Sequence, residues 1–370
     1  MVGMDAQRDH LRFALAIHEQ LGTALENTCF SPYSVAGALS LVAAGARGPT
    51  ATELRELLTS APDGLAEHVK LLTDAAHLPL SEGFESPVVE VANTLWAWRQ
   101  LNVPQPFRDE LAAWPSGDVR EAPFRTDPDA ARKMINDDVA ERTHGLIPEL
   151  VPPDAVAQDT VASLVNALYL RAAWLHPFER HGTQDGEFHG PTGTTRIPMM
   201  AQTESMSYTA REGWQAVGLP AAGGVQAVVL LPDGSLAEQE PDVDAVFVEH
   251  LLAGMTTTTV DLRMPRMRLD VHCPLKPVLR GLGVETVFSD AADLSGISAE
   301  HWLYVDSVQH QAVLRLDEDG LEGAAATAVL MRPVSMVITD LVVRVDRPFL
   351  LLVRHAGTGA VYFLARVARP

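Results

Sequence analysis

Few residues of this chain could serve as a nucleophile, and they lie far apart. Cys273 directly follows His272, and a thiol beside an imidazole could form the nucleophile and base of a thiol enzyme. No orienting third residue is evident, so a buried structural pair is the favoured interpretation. The second cysteine, Cys29, lies far from Cys273 in the chain, and we expect two buried thiols rather than a disulfide.

The signatures of the common enzyme classes are absent from the sequence. It contains no G-x-S-x-G, H-E-x-x-H, P-loop or G-x-G-x-x-G motif. The cysteines form no C-x-x-C pair, and the 13 histidines are scattered without the spacing of metal ligands. We therefore expect neither an enzyme nor a cofactor or metal site.

Bulk composition excludes further classes of partner. A net charge of −20 argues against nucleic acid, which needs a basic face, and no dense Lys/Arg cluster predicts a lipid or heparin-type site. No run of about 18 apolar residues could span a membrane. No signal peptide is visible, so localisation stays open between the cytoplasm and export by a route that the sequence does not show. The 370 residues have no clear linker, and we expect one domain over 1–370.

Helix-start signals and hydrophobic periodicity predict several helices. Residues 5–21 have apolar side chains at helical spacing. Ser31-Pro32 and Asp127-Pro128 each provide a capping side chain followed by a proline of the first turn, and the second of these helices should extend to about Arg142. Thr50 and Glu53 have the spacing of a capping box for the next helix.

Strand-like segments lie between and after these helices. Residues 161–170 form a nearly unbroken apolar run, typical of a strand buried on both faces. Residues 262–269 include Pro265 and predict an edge or bent strand. The other predicted strands are 90–98, 226–231 and 303–316.

The segment E-D-G-L-E-G-A-A-A-T-A-V-L-M-R-P-V-S, residues 318–335, follows the last of these strands. In an extended chain Leu321, Gly323, Thr327 and Val329 would share an uncharged face, because successive side chains point to opposite sides. Alanine and glycine form strands poorly on their own, and they lose little side-chain entropy when ordered. The segment fits a loop that could become a strand, and a plain flexible Ala/Gly linker is the alternative.

This segment resembles the hinge and reactive-centre loop of the serpins. Further segments resemble serpin motifs in the family's order, from residue 27 to the C-terminus. They are N-T-C-F-S-P-Y-S, G-A-R-G-P-T-A-T-E-L, A-N-T-L-W, I-N-D-D-V-A-E-R-T-H-G-L-I, L-V-N-A-L-Y-L-R-A-A-W, A-D-L-S-G-I and D-R-P-F-L-L-L-V. Asp138 and Leu146 depart from the family pattern, which usually has Trp and Lys there. A chain rich in Ala and Arg and poor in Lys suits the bacterial branch of the family.

The resemblance implies an α+β fold, the serpin fold: three β-sheets, about eight or nine helices and an exposed reactive-centre loop over about residues 318–340. Family spacing places the cleaved bond at Val334–Ser335, with Met336–Val337 and Val337–Ile338 as alternatives. Ser335 receives no nucleophilic role. The residues expected to form the hinge are Glu318, Gly320, Leu321, Glu322, Gly323, Ala324, Ala325, Ala326 and Thr327.

The resemblance also assigns roles within the large sheet. His310 and Asn166 match a pair that bridges its two central strands, above the hydroxyls of Ser31 and Ser34; these four residues form the "shutter". A satisfied core histidine is the alternative for His310. Trp174 matches the residue at the "breach", the end of the sheet where insertion begins.

The function implied is irreversible suicide-substrate inhibition of an elastase- or chymotrypsin-like serine protease by a metastable monomer. The loop is cleaved, a covalent acyl-enzyme forms, and the loop enters the central sheet. Leu321 and Gly323 depart from the usual Thr or Ser and Ala of the family, but neither is charged. The alternative is a non-inhibitory serpin that acts as a binding or chaperone-like protein.

Overall fold

Helices and strands alternate along the chain. A computed structural model describes residues 3–22, 25–98, 103–112, 117–153, 155–156, 160, 162–298, 303–321, 339 and 341–370. Within them the α-helices are α1 (Met4–Gln20), α2 (Pro32–Gly45), α3 (Gly48–Leu58), α4 (Leu65–Ala75), α5 (Gln105–Ala112), α6 (Pro128–Arg142), α7 (Leu236–Gln239), α8 (Ala245–Ala253) and α9 (Leu275–Gly281). The strands are β1 (Thr28–Phe30), β2 (Val88–Trp98), β3 (Gly117–Ala122), β4 (Ala162–Ala173), β5 (Gln184–Gly190), β6 (Gly193–Arg211), β7 (Trp214–Pro220), β8 (Val225–Pro232), β9 (Thr256–Pro265), β10 (Met267–Pro274), β11 (Val308–Leu316), β12 (Gly320–Leu321), β13 (Val342–Arg344), β14 (Phe349–His355) and β15 (Val361–Val367).

The described strands pair into two sheets. The six-stranded sheet has the order β10-β11-β12-β4-β2-β3. The nine-stranded sheet has the order β1-β15-β14-β8-β7-β6-β9-β13, with β5 also paired to β6. The expected third sheet is continuous with the second, because the long strand β6 pairs first with β5, then with β9 and finally with β7.

Helix α2 lies between the two sheets and contacts both β4 and β15. Its side chains are buried almost all round, as expected for an apolar helix inside a core. The predicted start is confirmed: Ser31 is the N-cap, its side chain accepts a hydrogen bond from the backbone of Ser34, and Pro32 follows in the first turn. The hydrogen bond that the Ser31 side chain accepts thus sets the residue at which α2 begins and so where α2 contacts the sheets.

Helix α6 covers the other face of the six-stranded sheet and packs against β2, β3 and β4. It begins as predicted, with Asp127 accepting a hydrogen bond from the backbone of Ala130. A second, smaller core forms beneath it, where Ile135 and Val139 of α6 pack with Val165 and Val313 from β4 and β11. The six-stranded sheet is therefore buried on both faces at its centre.

The capping box predicted at Thr50 and Glu53 is wrong. Thr50 as N-cap would start helix α3 at Ala51, but the helix begins three residues earlier, at Gly48, and Pro49 occupies its first turn. The Thr50 hydroxyl accepts instead from the backbone of Asp293 at 3.0 Å, and the Glu53 carboxylate accepts from the backbone of Thr286 at 2.8 Å. Both side chains join α3 to a distant segment of the chain.

The bend predicted near Pro265 is confirmed. The single strand expected over 262–269 is two strands, since β9 ends at Pro265 in the nine-stranded sheet and β10 begins at Met267 on the edge of the six-stranded sheet. Between them, the backbone N–H of Arg266 donates to the carbonyl of Pro198 at 3.0 Å. This bend connects the two sheets through one short segment.

Two histidines meet in the core where α1 packs against α4. His10 Nδ1 lies 3.3 Å from His68 Nε2, and His68 Nδ1 donates to the carbonyl of Leu58 at 3.0 Å. Both side chains are fully buried. Burial lowers the pKa of His10 to about 3 and that of His68 to about 4, so both are neutral in the folded protein.

These histidines predict a loss of stability in mild acid. The unfolded chain protonates them near pH 6.5 but the folded chain does not, so the free energy of unfolding should be constant above about pH 7 and fall as the pH drops below about 6.5. At pH 5 each such histidine should remove about 2 kcal/mol, at about 1.4 kcal/mol per pKa unit. Urea unfolding between pH 7.5 and pH 5 measures the slope.

The matched variants are His10→Gln and, as a control, His250→Gln, whose side chain is 61% exposed. The pH slope should shrink in the first variant and stay unchanged in the second. Equal slopes in His10→Gln and the wild type would contradict the assignment.

Candidate functional site

The centre of the six-stranded sheet contains a pair of polar side chains. Strands β4 and β11 run parallel and pair from Leu164–Val308 to Ala167–Gln311, with Asn166 opposite His310. His310 Nδ1 lies 2.6 Å from Asn166 Oδ1, and both side chains are fully buried. The structure thus brings together the two residues predicted to bridge the central strands.

A hydrogen-bond network extends this pair in both directions. Asn166 Nδ2 donates to Asn93 Oδ1 on β2 at 2.5 Å. On the other side, the backbone N–H of Ser31 donates to His310 Nε2 at 3.0 Å. Because Nε2 must accept, His310 is neutral and its Nδ1–H donates to Asn166. Burial lowers the pKa of His310 to about 3, consistent with that neutral form.

The serines expected beside this pair lie at the start of α2. The Ser31 side chain accepts from the backbone of Ser34 at 3.1 Å, so the N-cap of α2 is part of the network. The buried Ser34 hydroxyl has no hydrogen-bond partner among the residues that the structure describes. A side chain at Gly37, one turn further along α2, would clash with the Asn93 amide. Helix α2 therefore packs directly on the network.

Asn93 is the member that sequence reasoning missed. The motif A-N-T-L-W resembles the family pattern, but no role was assigned to the asparagine. A polar residue inside a strand whose neighbours are buried was the available signal, since buried polar groups normally find partners.

Strands β4 and β11 part from each other beyond this network. Over the described ranges they no longer pair after Ala167 and Gln311. At the far end the two-residue strand β12 lies between them and is antiparallel to both, with Leu321 opposite Leu316 on β11 and Ala172 on β4. The sheet thus has a central position between β4 and β11. Within the described ranges, only β12 occupies it, at the end away from the His310–Asn166 pair.

A tight turn at Asp317–Gly320 leads from β11 into β12. Its carbonyl groups accept from Trp174: the indole N–H donates to Asp317 at 2.9 Å and the backbone N–H donates to Asp319 at 3.0 Å. The Asp317 carboxylate accepts from the backbone of Gly320 at 3.2 Å, and Arg180 pairs with Asp319. A Cβ at residue 320 would overlap the β4 backbone, which explains the glycine.

Glu318 is almost completely buried in this turn. Its carboxylate accepts a hydrogen bond from Thr183 at 2.6 Å and forms an ion pair with Arg266 at the β9–β10 bend. Burial raises the pKa of this carboxyl, but the hydrogen bonds from Arg266 and Thr183 outweigh burial and lower the pKa below its usual value. Glu318 is therefore a charged anchor at the start of the predicted loop.

The segment after the loop is anchored on the nine-stranded sheet. Thr339 donates its hydroxyl proton to the carbonyl of Thr259 at 3.0 Å, and the backbone of Asp261 donates to Leu341 at 2.9 Å. Strand β13 then pairs in parallel with β9. The remaining predicted loop residues lie outside the described ranges: Glu322, Gly323, Ala324, Ala325, Ala326, Thr327, Val334 and Ser335.

The cysteines do not form a nucleophilic site. Both are buried free thiols, as predicted, and Cys273 Sγ contacts the carbonyl of Cys29 at 3.6 Å. Burial raises the pKa of Cys273 to about 12. The expectation of a buried His272–Cys273 pair is wrong, because His272 is exposed: neighbours in a strand point to opposite faces.

Two kinds of site are absent from the described residues. No group of three or more His, Cys, Asp and Glu side chains there could hold a metal ion. No helix in those ranges combines the length and the apolar character needed to cross a bilayer.

Comparison with known proteins assigns the fold and the family. The family model "Serpin (serine protease inhibitor)" matches residues 9–370, so the chain belongs to the serpin family. An uncharacterised serpin-like protein of Thermococcus kodakarensis is 30% identical over 97% of this chain and 84% of its own length. A serine protease inhibitor of Cyanea capillata is 31% identical over 93% of both chains.

Solved structures agree on the fold. Uncleaved ovalbumin matches with a TM-score of 0.86 at 24% identity, covering 99% of this chain and 100% of that one. Thyroxine-binding globulin in complex with thyroxine matches with a TM-score of 0.87 at 23% identity, covering 98% and 99%. The predicted α+β serpin fold is confirmed.

The Asn93 hydrogen bond predicts a measurable contribution to stability. Asn93→Ala leaves the Asn166 amide buried without this partner, which costs about 1–3 kcal/mol of unfolding free energy. The matched control is Thr94→Val on the same strand, because the buried Thr94 hydroxyl has no partner among the described residues. Urea unfolding at pH 7.5 measures both variants. If both variants lost the same free energy of unfolding, the hydrogen bond between Asn93 and Asn166 would contribute no more than the unpaired Thr94 hydroxyl.

Proposed function

We propose that this chain is an irreversible suicide-substrate inhibitor of elastase- or chymotrypsin-like serine proteases. The observation that carries the proposal is β12, a two-residue strand held between the parted strands β4 and β11 of a serpin. Serpin loop insertion is an established case of strand addition. The parted strands are the acceptor that such an insertion needs.

The proposed reaction begins at the bond between Val334 and Ser335. The protease serine attacks the Val334 carbonyl, the C–N bond breaks, and the amine of Ser335 leaves with a proton from the protease histidine. Val334 is then held as an ester on the protease. The freed loop enters the sheet and carries the protease with it, which distorts the protease before water can cleave the ester.

The register of β12 supports insertion along this path. Leu321 is opposite Leu316 and Ala172, and each further residue of an antiparallel strand moves one step back along both neighbours. Six steps on, residue 327 comes opposite residues 310 (316 − 6) and 166 (172 − 6). Thr327 would therefore reach the His310–Asn166 pair, which must open for insertion to continue.

The side-chain pattern of the loop fits that register. Leu321 is fully buried, so residues of the same parity would also face the core. Gly323 would come opposite Leu314 and Leu170, and neither glycine nor the following alanines add bulk or charge there. Glu322 would face the opposite side of the sheet. Arg332 has the same parity as Glu322, so no charged side chain between Leu321 and Val334 would have to enter the main core.

The energetic gain is large enough to drive insertion. A new strand of roughly a dozen residues gains about as many hydrogen bonds, each worth about 0.5–1.5 kcal/mol, which sums to the order of 10 kcal/mol. Typical domains have a free energy of unfolding of about 5–15 kcal/mol. The uncleaved state is therefore proposed to be metastable, and the released energy suffices to strain a bound protease.

We also propose that residues 1–370 act as one domain and as a monomer, because the family match runs almost from end to end. The proposed partner is a serine protease, bound covalently as the acyl-enzyme. Two relatives, from Cyanea capillata and Rattus norvegicus, are named as serine protease inhibitors, which supports this partner class.

Cleavage should raise stability sharply. After incubation with an elastase-type protease, we expect an SDS-stable complex and a C-terminal peptide that begins at Ser335; the peptide contains β13, β14 and β15, so it should separate only under denaturing conditions. The cleaved protein should melt far above the uncleaved protein, because its sheet has gained a strand. Mass spectrometry of the peptide and calorimetry of both forms measure these outcomes.

A different result would favour the binding or chaperone-like alternative. Cleavage without a stable complex, and with an unchanged melting temperature, would show that the loop does not insert. If cleavage occurred at Val337–Ile338 and a stable complex still formed, the reactive bond would be reassigned but the proposed mechanism would be retained.

Gly323→Glu should convert the inhibitor into a substrate. On insertion the carboxylate would be buried beside Leu314 and Leu170 without a partner, which costs several kcal/mol and slows insertion relative to deacylation. We expect no SDS-stable complex and a rise of about tenfold or more in the moles of inhibitor cleaved per mole of protease inactivated. Titration of protease activity measures this ratio.

The matched control adds the same charge outside the insertion path. Thr256 is exposed on β9, and Thr256→Glu should leave the ratio unchanged. If Gly323→Glu formed a full complement of complex, insertion through residue 323 would be refuted.

A further inference from the structure

The chain has two cysteines, and the fold brings them together. Cys29 lies on β1 and Cys273 on β10, 244 residues apart in the sequence. The Cys273 Sγ contacts the carbonyl oxygen of Cys29 at 3.6 Å, and both side chains are buried. A buried residue touches about ten others, so two given residues of a 370-residue chain seldom meet. Their contact makes the two cysteines a candidate redox pair.

The two thiols belong to different sheets, at a point where the sheets pack together. Strand β1 lies at one end of the nine-stranded sheet, and β10 lies at one end of the six-stranded sheet. Strand β1 packs on both β10 and β11. Burial raises the pKa of the Cys29 thiol and the charge of a Cys273 thiolate raises it further, so the two sulfur atoms are electrostatic neighbours. A bond between them would join the two sheets covalently.

The thiol pair also lies beside the His310 network. Cys29 precedes Ser31 by two residues, and the backbone N–H of Ser31 donates to His310 Nε2 at 3.0 Å. Cys273 is the partner of His310 in the ladder between β10 and β11. A cross-link between the cysteines would therefore connect the two backbone segments that border His310.

We propose that Cys29 and Cys273 form a redox-sensitive cross-link, in which hydrogen peroxide converts the thiol pair into a disulfide that joins β1 to β10. Cys273 reacts first, because it retains a small exposed fraction of 4% whereas Cys29 has none. Its thiolate attacks one peroxide oxygen, the O–O bond breaks, and the leaving hydroxide takes up the thiol proton to form water. The product is a sulfenic acid at Cys273.

The Cys29 thiol closes the cross-link. Its sulfur attacks the Cys273 sulfur, the S–O bond breaks, and the hydroxide leaves with the Cys29 proton as a second water. The two thiols thus lose two electrons and two protons to one peroxide, which gives one disulfide and two waters. We expect a change of rotamer to bring the sulfur atoms together, because the Cys273 sulfur already contacts the backbone of residue 29.

The burial that excludes an enzyme nucleophile also makes this oxidation slow and dependent on pH. Burial raises the pKa of Cys273 to about 12, so little thiolate is present near neutral pH. Below that pKa the thiolate fraction rises about tenfold for each pH unit, and the disulfide should form about ten times faster at pH 8.5 than at pH 7.5. The bond forms without loop insertion, so it belongs to the uncleaved protein.

The test treats the uncleaved, full-length protein with hydrogen peroxide at pH 8.5 and measures the masses of the intact chain and of its peptides. We expect one intramolecular bond between Cys29 and Cys273 and the loss of both free thiols. The thermal unfolding midpoint should rise by about 10 °C, because the bond closes a loop of 244 residues in the unfolded chain. Reduction with dithiothreitol should reverse the rise.

The matched controls are Cys29→Ala and Cys273→Ala, whose methionines meet the same peroxide. Neither variant should gain a higher midpoint, and a rise in either would overturn the cross-link. Free thiols, sulfinic acids or intermolecular dimers in the treated wild type, in place of the bond, would overturn it as well. The peptide masses of the wild type decide the matter even if a variant fails to fold.

Discussion

The hydrogen bond between His310 and Asn166 is the constraint on which the rest of the structure depends. It lies one residue before the last pair of β4 and β11, Ala167–Gln311, after which the two strands part towards β12. A buried hydrogen bond is worth about 1 kcal/mol net, whereas a complete new strand gains on the order of 10 kcal/mol. The network can therefore hold the sheet in its parted form without preventing the insertion that we propose for the freed loop.

The chemistry of this bond also fixes its surroundings. His310 must stay neutral because one ring nitrogen accepts from the Ser31 backbone and the other donates to Asn166. Burial supplies the low pKa that keeps it neutral. The same Ser31 caps α2, so the start of the helix between the two sheets is joined to the central strands. Opening the pair must disturb this helix start as well as the sheet.

Much of this arrangement could be predicted from local patterns, and the failures share a cause. Strand β4 and the N-cap at Ser31 were predicted correctly from the sequence, because neighbouring residues determine both. The missed role of Asn93 and the wrong capping box at Thr50 involve partners far away in the chain. Spacing alone cannot show whether a polar side chain bonds within its own turn or across the core. The exposure of His272 was predictable from strand alternation but was overlooked.

The anchors of the two loop flanks explain why the insertion that we propose would require a cut. Arg266 holds Glu318 where β9 leads into β10, and β9 also holds Thr339 and β13, so both flanks start from the same end of the six-stranded sheet. A strand inserted from Leu321 to Val334 takes 13 steps of about 3.3 Å and ends about 43 Å away. The five residues from Val334 to Thr339 span at most about 18 Å. In the proposed mechanism, an intact loop could not insert that far while β13 stays paired, so the sheet would be completed only when the bond is broken or β13 is released.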